Sequence, residues 1–242
     1  MLLKACLNGT RRRSDHARCP ITPGELAREG KAVVAAGAGA IHVHPRDEDG
    51  DETLDGPFVA AALEVMRAHL SVPIGISTGA WFLPDPAARL RAMARWEVLP
   101  DFASVNFHEV GAEQIARALL DRGVGVEAGI WSGDAATVLA ECGLGEQCLR
   151  ILIEPMEQEL DRALGTLRDI ENRLDGVSQT VPRLLHGFEM TAWPLLEHAR
   201  SHGYDTRMGL EDTLTRQDGT IARDNAELIQ LAVGRIHTEA AE

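Results

Sequence analysis

Short apolar segments alternate along this chain, eight times in all, with longer segments of helical periodicity. The short segments are rich in Val, Ile, Leu and Ala and end in polar residues, which is typical of buried parallel strands. The predicted strands cover residues 2–7, 40–44, 73–77, 102–107, 124–130, 148–153, 183–188 and 206–210. An alternating pattern of this kind indicates βα units around a parallel sheet.

Each predicted strand is followed by a predicted helix. The predicted helices cover residues 22–36, 57–69, 86–96, 112–122, 134–141, 158–174, 193–202 and 224–236. The first opens on Thr22, Pro23 and Glu25, a helix start signal. Eight βα units with short connections and no linker favour a closed barrel over an open doubly wound sheet. We therefore predict one (β/α)₈ TIM barrel domain over residues 1–242.

Charge and hydropathy exclude several classes of partner. The chain carries 37 acidic and 24 basic residues, a formal net charge of -13, which disfavours nucleic acid and anionic membrane surfaces. Residues 11–13, all arginine, form the main basic cluster. No apolar run approaches the length of a membrane span, and the N-terminal segment is too short for a signal peptide. Four cysteines show no CxxC spacing, so we expect reduced thiols in a cytoplasmic protein, and we further expect a homo-oligomer.

Polar residues follow the predicted strands, at the end where barrel enzymes place their sites. His42 and His44 are one residue apart at the end of the second strand, so both imidazoles project to one face. Two histidines and one carboxylate are a common ligand set for catalytic zinc. Glu211, after the eighth strand, is the first choice for the carboxylate. Taken alone, the pair could equally be ordinary buried histidines, and Glu211 a solvated loop residue.

Several stretches together carry a family resemblance. They are residues 20–26, 41–47, 76–79, 103–106, 207–212 and 225–228, which read PITPGEL, IHVHPRD, ISTG, ASVN, RMGLED and NAEL. In these stretches the chain resembles the β-keto acid cleavage enzymes, and the resemblance runs from the first strand to the last helix. It implies a zinc-dependent barrel enzyme that condenses a β-keto acid with acetyl-CoA to give acetoacetate and a new acyl-CoA. The ligands it implies are His42, His44 and Glu211.

The same resemblance assigns further site residues. Ser77 and Ser104 would bind the substrate carboxylate or keto group, while Arg207 and Asp212 would form a charged pair that manages the substrate proton. A structural ion pair in the barrel wall is the alternative for that pair. The remaining expected substrate contacts are Thr78, Asn106, Glu127 and Arg11. Arg11 stands where a well-known family member, which acts on a cationic substrate, has glutamate, so an anionic or hydroxylated tail would suit this position.

Two departures leave the reaction open. The loops after strands four and six are short, and Glu154-Pro155-Met156-Glu157 stands where the family usually has a glycine-rich segment. An enzyme that acts on a small carbonyl substrate without acetyl-CoA, such as a metal-dependent lyase, aldolase or hydrolase, is therefore an alternative. A non-catalytic barrel is a third interpretation. Acids near the strand ends would, if several faced inward, indicate a second metal, a cationic substrate group or an acid of raised pKa; they are Glu109, Glu127, Glu154 and Glu189. His108 and His186 could line the same pocket.

Overall fold

The protein is described here by a computed structural model over residues 1–175 and 180–237. Within these residues, eight parallel strands form a sheet in the order β7-β6-β5-β4-β3-β2-β1-β8. The strands are β1 (Leu3–Cys6), β2 (Ala40–Val43), β3 (Ile74–Ser77), β4 (Phe102–Asn106), β5 (Gly125–Ile130), β6 (Arg150–Ile153), β7 (Arg183–Leu185) and β8 (Thr206–Met208). The helices that follow them are α1 (Pro23–Ala35), α2 (Gly56–Arg67), α3 (Pro86–Met93), α4 (Ala112–Leu120), α5 (Gly133–Cys142), α6 (Leu160–Leu174), α7 (Ala192–His202) and α8 (Asn225–His237).

The sheet closes on itself between β7 and β8. The Leu185 N–H donates to the Asp205 carbonyl at 2.9 Å, and the Asp205 N–H donates to the Arg183 carbonyl at 3.0 Å. The Thr206 hydroxyl adds a bond to the Leu185 carbonyl at 2.9 Å. Closure removes the unpaired edges that an open sheet would present. The predicted (β/α)₈ TIM barrel is therefore confirmed.

Element boundaries differ from the prediction by at most three residues. The largest differences are at the seventh strand, predicted over 183–188, where β7 ends at Leu185, and at the third helix, predicted over 86–96, where α3 ends at Met93. The predicted start of α1 is confirmed, since the Thr22 hydroxyl accepts from the Glu25 N–H while the Glu25 carboxylate accepts from the Thr22 N–H. Residues 176–179 and 238–242 of the predicted single domain lie outside the described residues. In the described part of the chain, the helices lack the length and hydropathy that a bilayer crossing requires.

Side chains alternate between two faces of each strand and thereby build two different interiors. In β2, Ile41 and Val43 belong to the hydrophobic core that the strands form with the helices, whereas His42 faces the barrel axis. The helix-facing core is mainly apolar, with a few buried polar side chains such as Glu29 and Arg89, and the barrel interior is largely polar. The fold therefore needs the outer layer for stability and leaves the interior available for chemistry.

Three buried charged side chains and one aromatic ring lie near the N-terminal ends of the strands, in the barrel interior. We call them the basal cluster; its members are Lys4, Glu127, Arg150 and Phe102. Lys4 Nζ binds one Glu127 oxygen, and Arg150 Nε lies 3.3 Å from the other. Both cations lie 5.6 Å from the centroid of the Phe102 ring. Glu127 is fully buried and does not line the cavity described below. Its contacts are with the charges of the basal cluster.

Candidate active site

A cavity of about 300 Å³ opens at the C-terminal ends of the strands. Seven of the predicted site residues line it, namely His42, His44, Ser77, Ser104, Asn106, Arg207 and Glu211. The other lining residues include Glu154 and His186 at the strand ends and Trp81, Trp131, Met156 and Phe188 on the loops. The polar groups predicted from the strand ends therefore come together around one space.

His42, His44 and Glu211 form a set that could hold a metal ion. Their candidate ligand atoms lie within 4.8 Å of one another, and His44 Nε2 is 3.7 Å from Glu211 Oε2. The two imidazole rings meet edge to face, with centroids 5.2 Å apart. Burial, together with the neighbouring His44, holds the pKa of His42 well below its ordinary value, so the ring is neutral. Neutral imidazole is the form that binds a metal.

Two observations show that these residues fit a divalent cation. In the part of the chain that the structure describes, His42 Nδ1 and Glu211 Oε2 are buried without a hydrogen-bond partner. Three carboxylates, those of Glu154, Glu211 and Asp212, face the single guanidinium of Arg207, which leaves an excess of negative charge. Buried acceptors and uncompensated charge are costly unless something balances them. A bound cation would do both.

Glu52 orients one of the candidate ligands. One of its carboxylate oxygens lies 2.7 Å from His44 Nδ1 and also accepts from Trp81 Nε1 at 3.1 Å. Because a carboxylate accepts, His44 Nδ1 donates to Glu52, and Nε2 is directed towards Glu211. Sequence reasoning missed Glu52. The available signal was an acid eight residues after His44, in a loop that folds back so that Arg46 bridges to Glu52.

The approach of Glu211 depends on Gly9. Gly9 has a φ of +50°, and a Cβ at this position would lie 2.4 Å from the Cγ of Glu211. A side chain would therefore strain the backbone and displace the carboxylate. The loop after β1 thus leaves the space into which the candidate ligand from β8 extends.

Titratable groups around the candidate metal centre contact one another, and we call them the mouth cluster. Its members are His42, His44, Glu154, His186, Arg207, Glu211 and Asp212. Arg207 donates to Asp212 through Nε at 2.9 Å and to Glu211 through Nη2 at 2.9 Å. His186 Nδ1 lies 3.6 Å from Asp212 Oδ1, and His186 Nε2 lies 3.2 Å from Glu154 Oε2. The predicted pair of Arg207 and Asp212 is therefore in direct contact and joined to an additional acid and histidine.

The environments of the two acids push their pKa values in opposite directions. Burial raises the pKa of Asp212, and the opposing effect of Arg207 does not fully offset it. Burial would also raise the pKa of Glu154, but His186 and Arg207 outweigh it and hold the pKa at about 2. Asp212 therefore accepts a proton more readily than an ordinary aspartate, while Glu154 stays ionised. This separation is typical of sites that move protons.

The predicted substrate contacts fall into two groups. Ser77, Ser104 and Asn106 line the cavity, and Asn106 is held by a bond from its Nδ2 to Glu109 at 3.0 Å. Thr78 lies behind them, where its hydroxyl donates to the Ser104 carbonyl at 2.7 Å and ties β3 to β4. Thr78 thus supports Ser104 from outside the cavity lining.

Arg11 lies at the rim, with its charge already compensated. Its guanidinium pairs with Glu189, donates to the Leu210 carbonyl at 3.3 Å and lies 5.4 Å from the centroid of the Phe188 ring. Neither Arg11 nor Glu189 is among the residues that line the cavity.

Of the four acids expected near the strand ends, Glu154 lines the cavity and the other three pair elsewhere. Glu109 binds Arg89 at 2.6 Å, Glu127 belongs to the basal cluster and Glu189 pairs with Arg11. Of the two additional histidines, His186 lines the cavity, while His108 is exposed with its ring 4.4 Å from Trp131.

The fold and the site together define a (β/α)₈ barrel with a candidate metal centre at its C-terminal mouth. The model of the beta-keto acid cleavage enzyme family matches residues 1–145 and 154–241, so the chain belongs to this family, as the motifs predicted. A 3-keto-5-aminohexanoate cleavage enzyme of Fusobacterium nucleatum is 26% identical over 258 residues, covering 96% of this chain and 90% of that protein. Family and relative indicate an enzyme that cleaves β-keto acids.

Solved structures support the fold. ObcA, in a ternary complex with a C4-CoA adduct and oxalate, superimposes with a TM-score of 0.72 at 18% identity over 90% of this chain. The chain spans 64% of the length of ObcA, less than two thirds. A 3-dehydroquinate dehydratase from Geobacillus kaustophilus gives a TM-score of 0.60 at 12% identity, covering 98% of this chain and 92% of that one. At these identities the likeness concerns the barrel.

Proposed function

We propose that this chain is a zinc-dependent β-keto acid cleavage enzyme, which condenses a β-keto acid with acetyl-CoA to give acetoacetate and a new acyl-CoA. The observation that carries the proposal is the convergence of His42, His44 and Glu211, with unpaired ligand atoms, on a cavity in a chain of this family. The CoA adduct named for ObcA is consistent with a thioester partner.

In this proposal, His42, His44 and Glu211 hold the zinc ion. Zinc supplies a Lewis acid that polarises the keto oxygen of the substrate. His44 is held in the required tautomer by Glu52, and Glu211 is fixed by Arg207 through the bond at 2.9 Å. The ligands are thus positioned before substrate arrives, which lowers the cost of organising the site.

The proton chemistry falls to Asp212. Asp212 is not among the residues that line the cavity, but it contacts two that do, Arg207 and His186, and its Oδ2 is buried without a partner in the described residues. We assign the proton acceptor to this oxygen. Burial raises the pKa of Asp212, which makes it a stronger base than an exposed aspartate. Ser77, Ser104 and Asn106 supply the hydrogen bonds for the substrate carboxylate and keto group at the ends of β3 and β4.

One observation favours a second candidate function. The cavity of about 300 Å³ suits a small keto acid and lies at the lower end of the usual range for ligand sites. A metal-dependent lyase, aldolase or hydrolase that acts on a small carbonyl substrate without acetyl-CoA would have the same ligand set and the same base.

One experiment tests the proposal and separates the two candidates. The purified protein is analysed for metal and then incubated with acetyl-CoA and a panel of β-keto acids, with acetoacetate and new CoA esters measured by mass spectrometry. We expect about one zinc per chain and both products, and chelation should abolish them. The proposal fails if no CoA ester forms with any acid, and products that appear without CoA consumption support the second candidate.

A variant pair assigns the result to the site. His42→Ala should lose the metal and lower kcat/KM by at least about 1000-fold, since a catalytic metal supplies several kcal/mol of stabilisation. His69→Ala is the matched control, because His69 is exposed and does not line the cavity. Equal metal content and activity in both variants would remove His42 from the centre.

A further inference from the structure

The cavity has an apolar wall above its polar floor, and the two come from different parts of the barrel. Trp131 follows β5, Met156 follows β6 and Phe188 follows β7, and all three line the cavity on the loop side of the strand ends. His42 and Ser104 lie within strands. A substrate whose reacting groups face the strand ends therefore extends the rest of its chain between the loop residues.

The charges beside this wall are already paired. The Arg11 guanidinium, which lies over the Phe188 ring, binds Glu189. Glu109, after β4, binds Arg89 at 2.6 Å. The wall therefore presents the Met156 thioether and the rings of Phe188 and Trp131, and the charge that lies over Phe188 is paired. Its one buried polar atom without a partner in the described residues is Trp131 Nε1, an uncharged donor.

The carboxylates that do line the cavity belong to the floor. Among the described lining residues they are Glu154 and Glu211. Glu154 directly follows β6 and faces His186 Nε2 at 3.2 Å, while Glu211 accepts from Arg207 at 2.9 Å. Both acids are engaged with other members of the mouth cluster.

A substrate with a charged tail and one with an apolar tail would differ in their free energy of binding to this wall. An ammonium or carboxylate group would lose its hydration on entering and find no free partner of opposite charge there, which is unfavourable. Methylene and methyl groups would gain from leaving water against the rings and the thioether.

We propose that the preferred β-keto acid carries a short, uncharged apolar tail that packs against Trp131, Met156 and Phe188. The inference deepens the proposed function and rests on it for the β-keto acid head of the substrate. The preference differs from that expected from the Fusobacterium nucleatum relative, whose name specifies an amino group on the fifth carbon.

The test compares three acids of equal backbone length: 3-oxohexanoate, 5-amino-3-oxohexanoate and 3-oxohexanedioate. We expect kcat/KM for 3-oxohexanoate to exceed that for each charged analogue by roughly tenfold or more, the scale on which pockets discriminate small changes in a substrate. Equal or higher kcat/KM for either charged acid overturns the proposal.

A binding measurement separates this inference from the proposed function. Quenching of tryptophan fluorescence by each acid, followed without acetyl-CoA, reports occupancy of the cavity, which Trp81 and Trp131 both line, whether or not turnover follows. If 3-oxohexanoate binds best and no CoA ester forms, the tail preference stands and the proposed function fails. If CoA esters form and the cationic acid binds best, the proposed function stands and the tail preference fails.

A matched pair of variants tests the wall itself. Met156→Glu places a carboxylate in the wall and should lower the ratio of 3-oxohexanoate to 5-amino-3-oxohexanoate kcat/KM by at least about tenfold. Met190→Glu makes the same change at a residue that is 74% exposed and outside the cavity lining, and should leave the ratio unchanged. An equal ratio in both variants contradicts the assignment of Met156. If Met156→Glu does not fold, the ranking of the three acids by the unmodified protein decides.

Discussion

The basal cluster and the mouth cluster occupy the same barrel interior, one near the N-terminal ends of the strands and the other at their C-terminal ends. In the basal cluster, both oxygens of Glu127 face a cation, Lys4 on one side and Arg150 on the other. In the mouth cluster, Glu211 and Asp212 pair with Arg207 and Glu154 lies beside His186, so three acids surround one guanidinium. Buried polar atoms without a hydrogen-bond partner in the described residues occur in both clusters, among them Glu127 Oε1 and Asp212 Oδ2. The clusters differ in charge and position: the basal cluster sets one acid between two cations, and the mouth cluster has an excess of acids beside the cavity.

The two clusters separate buried charges that stabilise the barrel from buried charges that border the candidate site. A buried ion pair that is fully matched becomes strongly destabilising once one partner is removed. Buried groups with perturbed pKa values beside a cavity are, by contrast, typical of functional sites. Changes in the two clusters should therefore have separable effects on folding and on turnover.

The largest effect should come from breaking the basal cluster. Glu127→Gln leaves Lys4 and Arg150 buried without a carboxylate, and we expect a loss of about 3–5 kcal/mol in the free energy of unfolding. Urea titration measures it. Glu113→Gln is the control, since its pair with Arg117 is half exposed and should contribute less than about 1 kcal/mol. A loss for Glu127→Gln no larger than the control would contradict the stabilising role.

The converse should hold for Asp212. Asp212→Asn removes the candidate base from an acid-rich cluster, and we expect kcat to fall by about 100- to 1000-fold, within the usual range for acid–base catalysis. The free energy of unfolding should change by less than about 1 kcal/mol, because one negative charge is lost where negative charge is in excess. Steady-state kinetics and urea titration of the same preparation check both. If Asp212→Asn lowered the free energy of unfolding as much as Glu127→Gln does, the two clusters would not differ in their contribution to stability.

Glu154 should link stability to pH. Its pKa of about 2 in the folded protein lies below its ordinary value of 4.5, so its contribution is present above pH 4.5 and is lost as the pH falls towards 2. The shift corresponds to at most about 3 kcal/mol. In metal-free protein, Glu154→Gln should lower the free energy of unfolding at pH 7, and the difference should shrink by roughly half or more at pH 3. A difference that does not vary with pH would show that Glu154 is not held ionised in this way.

The smallest effect should come from Glu52, which contacts the candidate ligand His44. Glu52→Gln weakens the orientation of His44 and should reduce zinc affinity by roughly 10- to 100-fold, as for other residues that support a ligand. Competition with a chromophoric chelator measures this. Asp51→Gln, at the neighbouring exposed carboxylate, is the control and should leave the affinity unchanged. Equal affinities for both variants would exclude Glu52 from the centre.

Much of this architecture could be predicted from local patterns. The strands could be predicted because each is a short, mostly apolar run. The spacing of His42 and His44 places both imidazoles on one face of a strand, independently of the rest of the fold. Strand order made Glu211 a candidate third ligand, since barrel closure brings β8 beside β1, but its selection rested on the family resemblance. The strands and the histidine pair follow from periodicity in one sequence, whereas the choice of the carboxylate needed the motif.

The remaining features depend on side chains that meet only in three dimensions. Arg11 and Glu189 are far apart in the chain, and their pairing replaces the free guanidinium that the sequence suggested. Glu127 also follows the pattern of a strand-end acid, but Lys4 and Arg150 surround it in the barrel. The contact between Glu154 and His186 joins two strand ends whose residues gave no such signal. Pairing between long, flexible side chains has no periodicity to detect.

Because the floor of the cavity comes from strands and its wall from loops, the two can evolve at different rates. Residues on strands are held by the pairing of the whole barrel, so a change there puts both fold and reaction at risk. Met156 and Phe188 lie on connections that can be replaced or lengthened without disturbing that pairing. Homologous barrels can therefore keep the same residues on their strands while a few loop mutations change their substrate specificity.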